Sequence, residues 1–189
     1  MTYDPAKHHR RSIRLRGYDY RQAGAYFVTL VCKNRELLFQ DDRFRAIVED
    51  AWRWLAEQHQ FVDLDEHVVM PNHLHGIIGI RHARRGGSRT APTVSASGHK
   101  PLGRLIGSFK TVSTKRINAI RRTPGVPVWQ RNYYEHVFRS EEELNHVRQY
   151  VIDNPLHWDE DPENPALAQA VGDHGGIGRP LELVSLNCF

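Results

Sequence analysis

The chain has 189 residues, of which 40% are hydrophobic and 25% charged, with two cysteines and a formal net charge of +4. This composition is typical of a soluble globular protein, the length suits one domain with extensions or two very small domains, and two cysteines exclude a disulfide framework. No apolar run reaches the roughly 18–20 residues that span a membrane, and the amino-terminal segment lacks the apolar core of a secretory signal. We therefore expect a cytoplasmic protein with no membrane partner.

The basic residues are concentrated in one part of the chain. Residues 81–122 contain 11 Lys or Arg and no Asp or Glu. Residues 123–189, in contrast, contain 4 Lys or Arg and 11 Asp or Glu. A local charge of that size is typical of a disordered tail or of a surface that binds a polyanion. Because part of the stretch has helical periodicity, we favour nucleic acid as its partner over a merely solvated surface.

The first elements in chain order are an arm, a strand and a helix. Residues 1–24 form a basic N-terminal arm with interleaved aromatic residues. The β-branched and aromatic run at 25–32 predicts a buried strand. Asp41 and Asp42 are suited to cap a helix over 43–58, where apolar residues recur at helical spacing.

A hairpin and a loop follow. Segments 61–70 and 73–80 predict two strands that pair across a turn at Pro71–Asn72. Residues 81–100 are rich in Gly, Ser, Thr, Pro and Arg, and they predict a flexible basic loop.

The second half of the chain begins with an amphipathic helix. It starts at Leu102, has a basic outer face, and is broken at 122–127. Segment 133–139 predicts a fourth strand, and 141–154 predicts a last helix that opens with a capping box. Residues 157–189 form an acidic C-terminal tail rich in proline and glycine.

The order of these elements predicts the fold class. The first six match the ferredoxin-like βαββαβ pattern, an α+β fold in which two helices pack on one face of a four-stranded antiparallel sheet. The other face is either open or covered by the last helix. Many unrelated functions use this fold, so the function has to be argued from the site.

Two histidines are candidate metal ligands. His73 and His75 flank Leu74 on a predicted strand, so alternation directs both imidazoles to one face of the sheet. Two imidazoles a few ångströms apart can share a metal ion. They can equally be hydrogen-bonded structural histidines in a chain that contains 12 of them.

Tyr150 and Asn154 form a second pair. They are four residues apart and lie one above the other on the last predicted helix. Tyr150 lies at the border of the apolar face, from which its hydroxyl could reach a shared cleft. The alternative is a boundary tyrosine that packs its ring and exposes its hydroxyl. Asn154 precedes Pro155, so it can also simply end the helix.

Three segments together carry a family resemblance: VVMPNHLHGII (68–78), WQRNYYEHVFR (129–139) and HVRQYVIDNP (146–155). They resemble the IS200-like single-tyrosine transposases, in particular the REP-associated tyrosine transposase branch. The opening segment RRSIRLRGYDYRQAGAYFVTLVCKNRELLF is also similar to that branch. The likeness covers about residues 10–156, with the catalytic domain over 25–156, and the combination of the histidine motif with Tyr-x-x-x-Asn-Pro is specific.

The resemblance implies roles for the candidate residues. His73 and His75 bind a divalent metal ion, Asn154 completes the metal site, and Tyr150 on the last helix is the nucleophile. The ion expected in this family is Mg²⁺ or Mn²⁺. Imidazole ligands favour Mn²⁺ over Mg²⁺, and Zn²⁺ also remains open.

The resemblance also implies a reaction and a partner. The expected activity is that of a metal-dependent transposase of the HUH type. It cleaves and rejoins single-stranded DNA, with hairpins of the REP type, through a 5′-phosphotyrosine intermediate. Tyr133 and Tyr134 compete for the role of nucleophile, but they lack a polar partner one helical turn away. The enzyme could be a monomer or a homodimer. The alternative function is a non-catalytic or domesticated ferredoxin-like module that binds structured DNA or RNA.

Basic residues are the expected contacts to the DNA backbone, which give an affinity that weakens with salt. Aromatic residues of the N-terminal arm could stack on unpaired bases. The candidate DNA-binding residues are Arg14, Arg16, Arg104, Lys110 and Lys115.

Overall fold

The computed structural model describes Leu15 and residues 17–81 and 100–167. Its strands and helices are β1 (Gly24–Val31), α1 (Asp42–Gln58), β2 (Val62–Val69), β3 (His73–Ile80), α2 (Leu102–Arg121), β4 (Tyr134–Val137) and α3 (Glu141–Asp153). The predicted element order is therefore confirmed. Most of the N-terminal arm, with Arg14 and Arg16, most of the 81–100 loop, and residues 168–189 lie outside the described residues. Within the described ranges, no helix combines the length and the apolar character that a membrane crossing requires.

The four strands form one antiparallel sheet in the order β2-β3-β1-β4. β2 and β3 pair as the predicted hairpin, and β1 lies between β3 and β4. In this register His73 lies opposite Val31, and His75 lies opposite Thr29. This topology is the predicted ferredoxin-like one, and it places both histidines on β3, an interior strand of the sheet.

α1 and α2 pack on one face of the sheet and form the larger core with it. The α1 helix begins at the predicted cap, where the Asp41 side chain accepts a hydrogen bond from the Arg43 amide. Trp52 of α1 is fully buried and packs edge-on against Phe109 of α2. Gly76 of β3 faces the indole ring so closely that an added Cβ would lie 2.4 Å from a Trp52 ring carbon.

α3 covers the other face of the sheet. Of the two alternatives that the sequence left open, an open face and a face covered by the last helix, the second is therefore correct. Its apolar side chains Leu144 and Val147 pack with Phe27 and Ile77 into a second, smaller core. Ser140 caps the helix by accepting from the Glu143 amide, as predicted. α3 therefore lies over the face to which the odd-numbered residues of β1 and β3 point, His73 and His75 included.

Candidate functional site

The two histidines of β3 form the centre of the candidate site. His73 and His75 are 0% and 1% exposed, and their Nε2 atoms lie 2.9 Å apart. The His75 ring stacks on Phe27, with ring centroids 5.4 Å apart. The alternation of the strand thus brings both imidazoles to one face, beneath α3.

The outer nitrogen of each imidazole is hydrogen-bonded to a fixed partner. Thr29 Oγ1 lies 2.9 Å from His75 Nδ1, and Asn72 Oδ1 lies 2.8 Å from His73 Nδ1. The Asn72 amide nitrogen donates to the Glu163 carbonyl at 2.7 Å, so its oxygen faces the imidazole. His73 Nδ1 therefore carries the hydrogen, and its Nε2 presents a lone pair to the site. Metal-ligating histidines are commonly oriented in this way.

Burial determines the protonation of this pair. It lowers the pKa of His75 to about 3. Burial, and then the neighbouring His75, hold the pKa of His73 well below its usual value. Both rings are therefore neutral at pH 7, which is the form that binds metal ions. At 2.9 Å, either one hydrogen joins the two Nε2 atoms, or both lone pairs bind one cation.

Tyr150 reaches this cluster from α3. Its hydroxyl lies 3.3 Å from His75 Nε2, and its ring packs edge-on against Phe27 and His75. The side chain is half-buried, and its hydroxyl is directed into the site. Tyr133 and Tyr134 are each 7% exposed, and each belongs to a hydrophobic core. The Tyr150 hydroxyl is thus within hydrogen-bond distance of the histidine pair.

Asn154 also lies at the site, directly after α3. It is 5% exposed, and its Oδ1 is buried without a hydrogen-bond partner among the described residues. A buried amide oxygen with no partner is costly, and a cation is one group that can satisfy it. The structure thus brings His73, His75 and Tyr150 together, and Asn154 is linked to them through a side-chain hydrogen bond to Asp161.

Asp161 is a member of the cluster that sequence reasoning missed. Its Oδ2 lies 3.6 Å from His73 Nε2, and ligand atoms of His73, His75 and Asp161 lie within 4.8 Å of one another. Because the histidine is neutral, this contact is not an ion pair. Burial raises the pKa of Asp161 to about 6, while hydrogen bonds from the Glu163 amide and the Asn154 side chain oppose the rise.

The segment that carries Asp161 is tied to the sheet by two contacts. Arg35 Nε donates to a Glu163 carboxylate oxygen at 2.8 Å, and Asn72 binds the Glu163 carbonyl. The Asp161 side chain accepts from the Glu163 amide at 2.7 Å, which closes a local turn. Sequence reasoning assigned this segment to the acidic tail, and only its Asp-Pro turn signal hints at a defined structure.

The described DNA-binding candidates lie on α2, on the opposite face of the sheet from Tyr150. Arg104 and Lys115 are exposed. The ammonium of Lys110 forms hydrogen bonds within the protein, because it donates to the carbonyls of Gln130 at 2.8 Å and Asn132 at 3.0 Å. Burial lowers the pKa of Lys110 to about 8. The structure therefore places these cations together on α2 and away from the histidine cluster.

Comparison with known proteins supports the fold and gives a relative. No family model matches the chain. An uncharacterized protein from Haemophilus influenzae is 36% identical over 173 residues, which cover 84% of this chain and 95% of that protein. The solved structure of the REP-associated tyrosine transposase bound to a REP hairpin is 16% identical with a TM-score of 0.53, covering 88% of this chain and 92% of that one. The chain belongs to the same family as the Haemophilus influenzae protein, and its fold is that of the REP-associated tyrosine transposase.

Proposed function

We propose that this protein is a transposase of the single-tyrosine type, a metal-dependent nuclease and strand transferase that acts on single-stranded DNA with hairpin structure. The observation that carries the proposal is the Tyr150 hydroxyl 3.3 Å from His75 Nε2, beside a buried His73–His75 pair. A module that only binds nucleic acid has no need for a phenol directed at two neutral imidazoles. The shared fold and the sequence motifs support the same function.

The side chains present fit a divalent metal ion. His73 and His75 would supply imidazole nitrogens, Asn154 an amide oxygen and Asp161 a carboxylate oxygen. A mixed set of nitrogen and oxygen ligands suits Mn²⁺, and the oxygen ligands also suit Mg²⁺. When bound, the ion would polarise the scissile phosphate and help to position it.

The reaction at Tyr150 exchanges one phosphodiester bond for another. The phenol oxygen attacks phosphorus, the bond between phosphorus and the 3′ oxygen breaks, and the 3′ oxygen leaves with a proton. The products are a 5′-phosphotyrosine and a free 3′-hydroxyl. Since the covalent bond retains the phosphodiester energy, reversal of the reaction rejoins strands without ATP.

Removal of the phenol proton is a main energetic cost of this attack. A free tyrosine has a pKa near 10, so forming the phenolate at pH 7 costs about 4 kcal/mol. His75 is the nearest imidazole, but burial lowers its pKa to about 3, so it is a poor proton acceptor. A neutral imidazole of this kind is better suited to binding a cation than to general-base catalysis.

DNA would approach from the side of Tyr150. The two histidines, Asn154 and Asp161 are all buried, whereas Tyr150 is only half-buried, at the border of α3. The solved structure with the same fold was determined with a REP hairpin bound to that protein. A hairpin flanked by single strands is therefore the first substrate to test.

The test is formation of a covalent protein–DNA adduct. Full-length protein is incubated with Mn²⁺ and a 3′-labelled, hairpin-containing single strand, taken from the DNA that flanks its own gene, and is then run on a denaturing gel, because the fragment that stays bound to Tyr150 is the one that carries the 3′ end. We expect a shifted adduct with the wild type, none with Tyr150→Phe, and an unchanged adduct with Tyr134→Phe as the matched control. An adduct that persists in Tyr150→Phe would reject this nucleophile. Tight DNA binding without any adduct would favour the non-catalytic module.

A further inference from the structure

A large cavity lies outside the site described so far. It is formed by the outer face of α2 and the segment 122–131 that follows the helix, and its volume is about 770 Å³. Pockets that hold small organic molecules have volumes of roughly 300–1,000 Å³. Pro127, Val128 and Trp129 contribute apolar surface to the lining. The cavity is therefore large enough for a nucleobase with its sugar.

The charged side chains around this cavity are all cationic. Lys115, Arg122 and Arg131 belong to its lining, which contains no Asp or Glu. Among the described residues, none of these three cations takes part in an ion pair, and no acidic residue occurs in the sequence between Glu66 and Glu135. An apolar cavity with an unneutralised cationic rim is suited to an anion that has a flat apolar part.

Lys110 has a different role at this cavity. Its ammonium donates to the carbonyls of Gln130 and Asn132 and lies 5.4 Å from the Tyr133 ring centroid. These contacts fix the segment that forms one wall. The cavity is thus held in shape by an internal cation, while the other cations of its lining are free to meet a ligand.

The cavity wall and the histidine cluster lie at the same end of the sheet. The Val128 carbonyl accepts from the Lys33 amide at 2.7 Å, and the Asn72 carbonyl accepts from the Cys32 amide at 2.8 Å. Val128 and Asn72 therefore flank the same stretch of chain on its two sides. Neighbouring strands are about 4.8 Å apart, so the backbones of Val128 and Asn72 lie about 10 Å apart, while the cavity and Tyr150 lie on opposite faces of the sheet. A single strand that occupied both would therefore pass around this end of the sheet.

We infer that this cavity receives an unpaired base of the DNA substrate. The base would lie against the apolar wall at Pro127 and Trp129, and the adjoining phosphates would bind Lys115 and Arg122. The inference rests on the proposed function for its substrate class. In this inference α2 takes no part in the chemical step. Its role is to bind one nucleotide of the single strand.

The test compares a strand that has bases with one that has none. The probes are a fluorescent 20-nucleotide oligothymidylate and an all-abasic strand of the same length, bound to full-length Tyr150→Phe protein so that no strand is cut. Ala119→Phe fills the cavity without changing charge, because Ala119 is an exposed residue of its lining. We expect it to weaken oligothymidylate binding roughly tenfold and to leave the abasic strand unaffected, since stacking requires a base.

Removing two cations of the cavity lining gives the complementary test. Lys115→Ala combined with Arg122→Ala should weaken both strands, and should lower the slope of log affinity against log salt by about 1.4, at roughly 0.7 per phosphate contact. Arg116→Ala is the matched control, an exposed cation of the same helix that lies outside the cavity. It should change oligothymidylate binding less than either cavity variant.

Two results would overturn the inference. The first is that both cavity-filling variants, Ala119→Phe and Thr114→Phe, bind oligothymidylate with the same affinity as the Tyr150→Phe parent and have the same melting temperature. The other is that filling the cavity weakens both strands equally. The adduct assay with wild-type protein is separate, so absence of the adduct would reject the nuclease while leaving the cavity result to stand.

Discussion

Arg148 of α3 forms a two-pronged ion pair with Asp65 of β2. Its Nη2 lies 2.6 Å and its Nε 3.0 Å from Asp65 Oδ2, and the two side chains are 31% and 30% exposed. Arg148 comes two residues before Tyr150, and Asp65 lies where the β2–β3 register is shifted. The pair therefore ties the helix that carries the phenol to the edge strand of the sheet.

Removing this ion pair should loosen α3. We expect Asp65→Asn to lower the free energy of unfolding by about 1 kcal/mol, the upper part of the range for exposed pairs, because the geometry is bidentate. Urea denaturation measures the change. Asp50→Asn is the control, because the Asp50–Arg53 pair is within one helix and more than half exposed, and it should cost almost nothing. Equal losses in the two variants would contradict a special role for the α3–β2 pair.

The same pair should give a pH-dependent contribution to stability. Hydrogen bonds from Arg148 lower the pKa of Asp65 in the folded protein. A carboxyl group with a depressed folded pKa stabilises the protein above its unfolded value, near 3.9, and this contribution is lost as the pH falls through the folded value. The stability difference between wild type and Asp65→Asn should therefore be constant from pH 5 to 8 and shrink below about pH 4. A difference that stays constant down to pH 3 would contradict the assignment.

The sequence predicts the parts of this site that lie on regular elements. Alternation along β3 places His73 and His75 on one face, and helical spacing places Tyr150 at the border of the α3 apolar stripe. The position of Asp161 follows from neither the strand period nor the helix period, because Asp161 lies in an irregular segment after Pro155. The hydrogen bond from Asn72 to the Glu163 carbonyl holds that segment beside His73. Periodicity determines the direction of a side chain within its own element, whereas contacts between distant segments depend on the packed structure.

Lys110 illustrates the same limit for the basic surface. Its charge and its position in the basic stretch make it a candidate DNA-binding residue beside Lys115. The structure instead directs its ammonium to backbone carbonyls after the helix, which only the course of segment 130–132 could reveal. Composition predicts that a helix face is basic, but it does not distinguish a cation that binds a ligand from one that stabilises a loop.

Gly76 should be intolerant of even one added carbon. A Cβ at this position would lie 2.4 Å from a carbon of the buried Trp52 ring. Trp52 cannot move aside easily, because it packs against Phe109 and is fully buried. We expect Gly76→Ala to destabilise the protein by about 1–3 kcal/mol, as overpacking of a core does. Gly79→Ala on the same strand is the control, since its nearest contact would be an ordinary 3.4 Å. Thermal melting of the two variants measures the difference, and equal melting temperatures would contradict the packing argument.

Metal binding should depend on Asp161 as well as on the histidines. The carboxylate is the one negative group in the cluster, and its Oδ2 lies 3.6 Å from His73 Nε2. If it is a ligand, Asp161→Asn should weaken Mn²⁺ binding by about tenfold or more, since loss of even an outer partner costs about 10–100-fold. Electron paramagnetic resonance of free Mn²⁺ measures this affinity without DNA and without turnover. Asp159→Asn removes an equal charge from an exposed position two residues away and should leave the affinity unchanged. His73→Ala should abolish tight binding. Unchanged Mn²⁺ affinity in Asp161→Asn would restrict the ligands to the two histidines and Asn154.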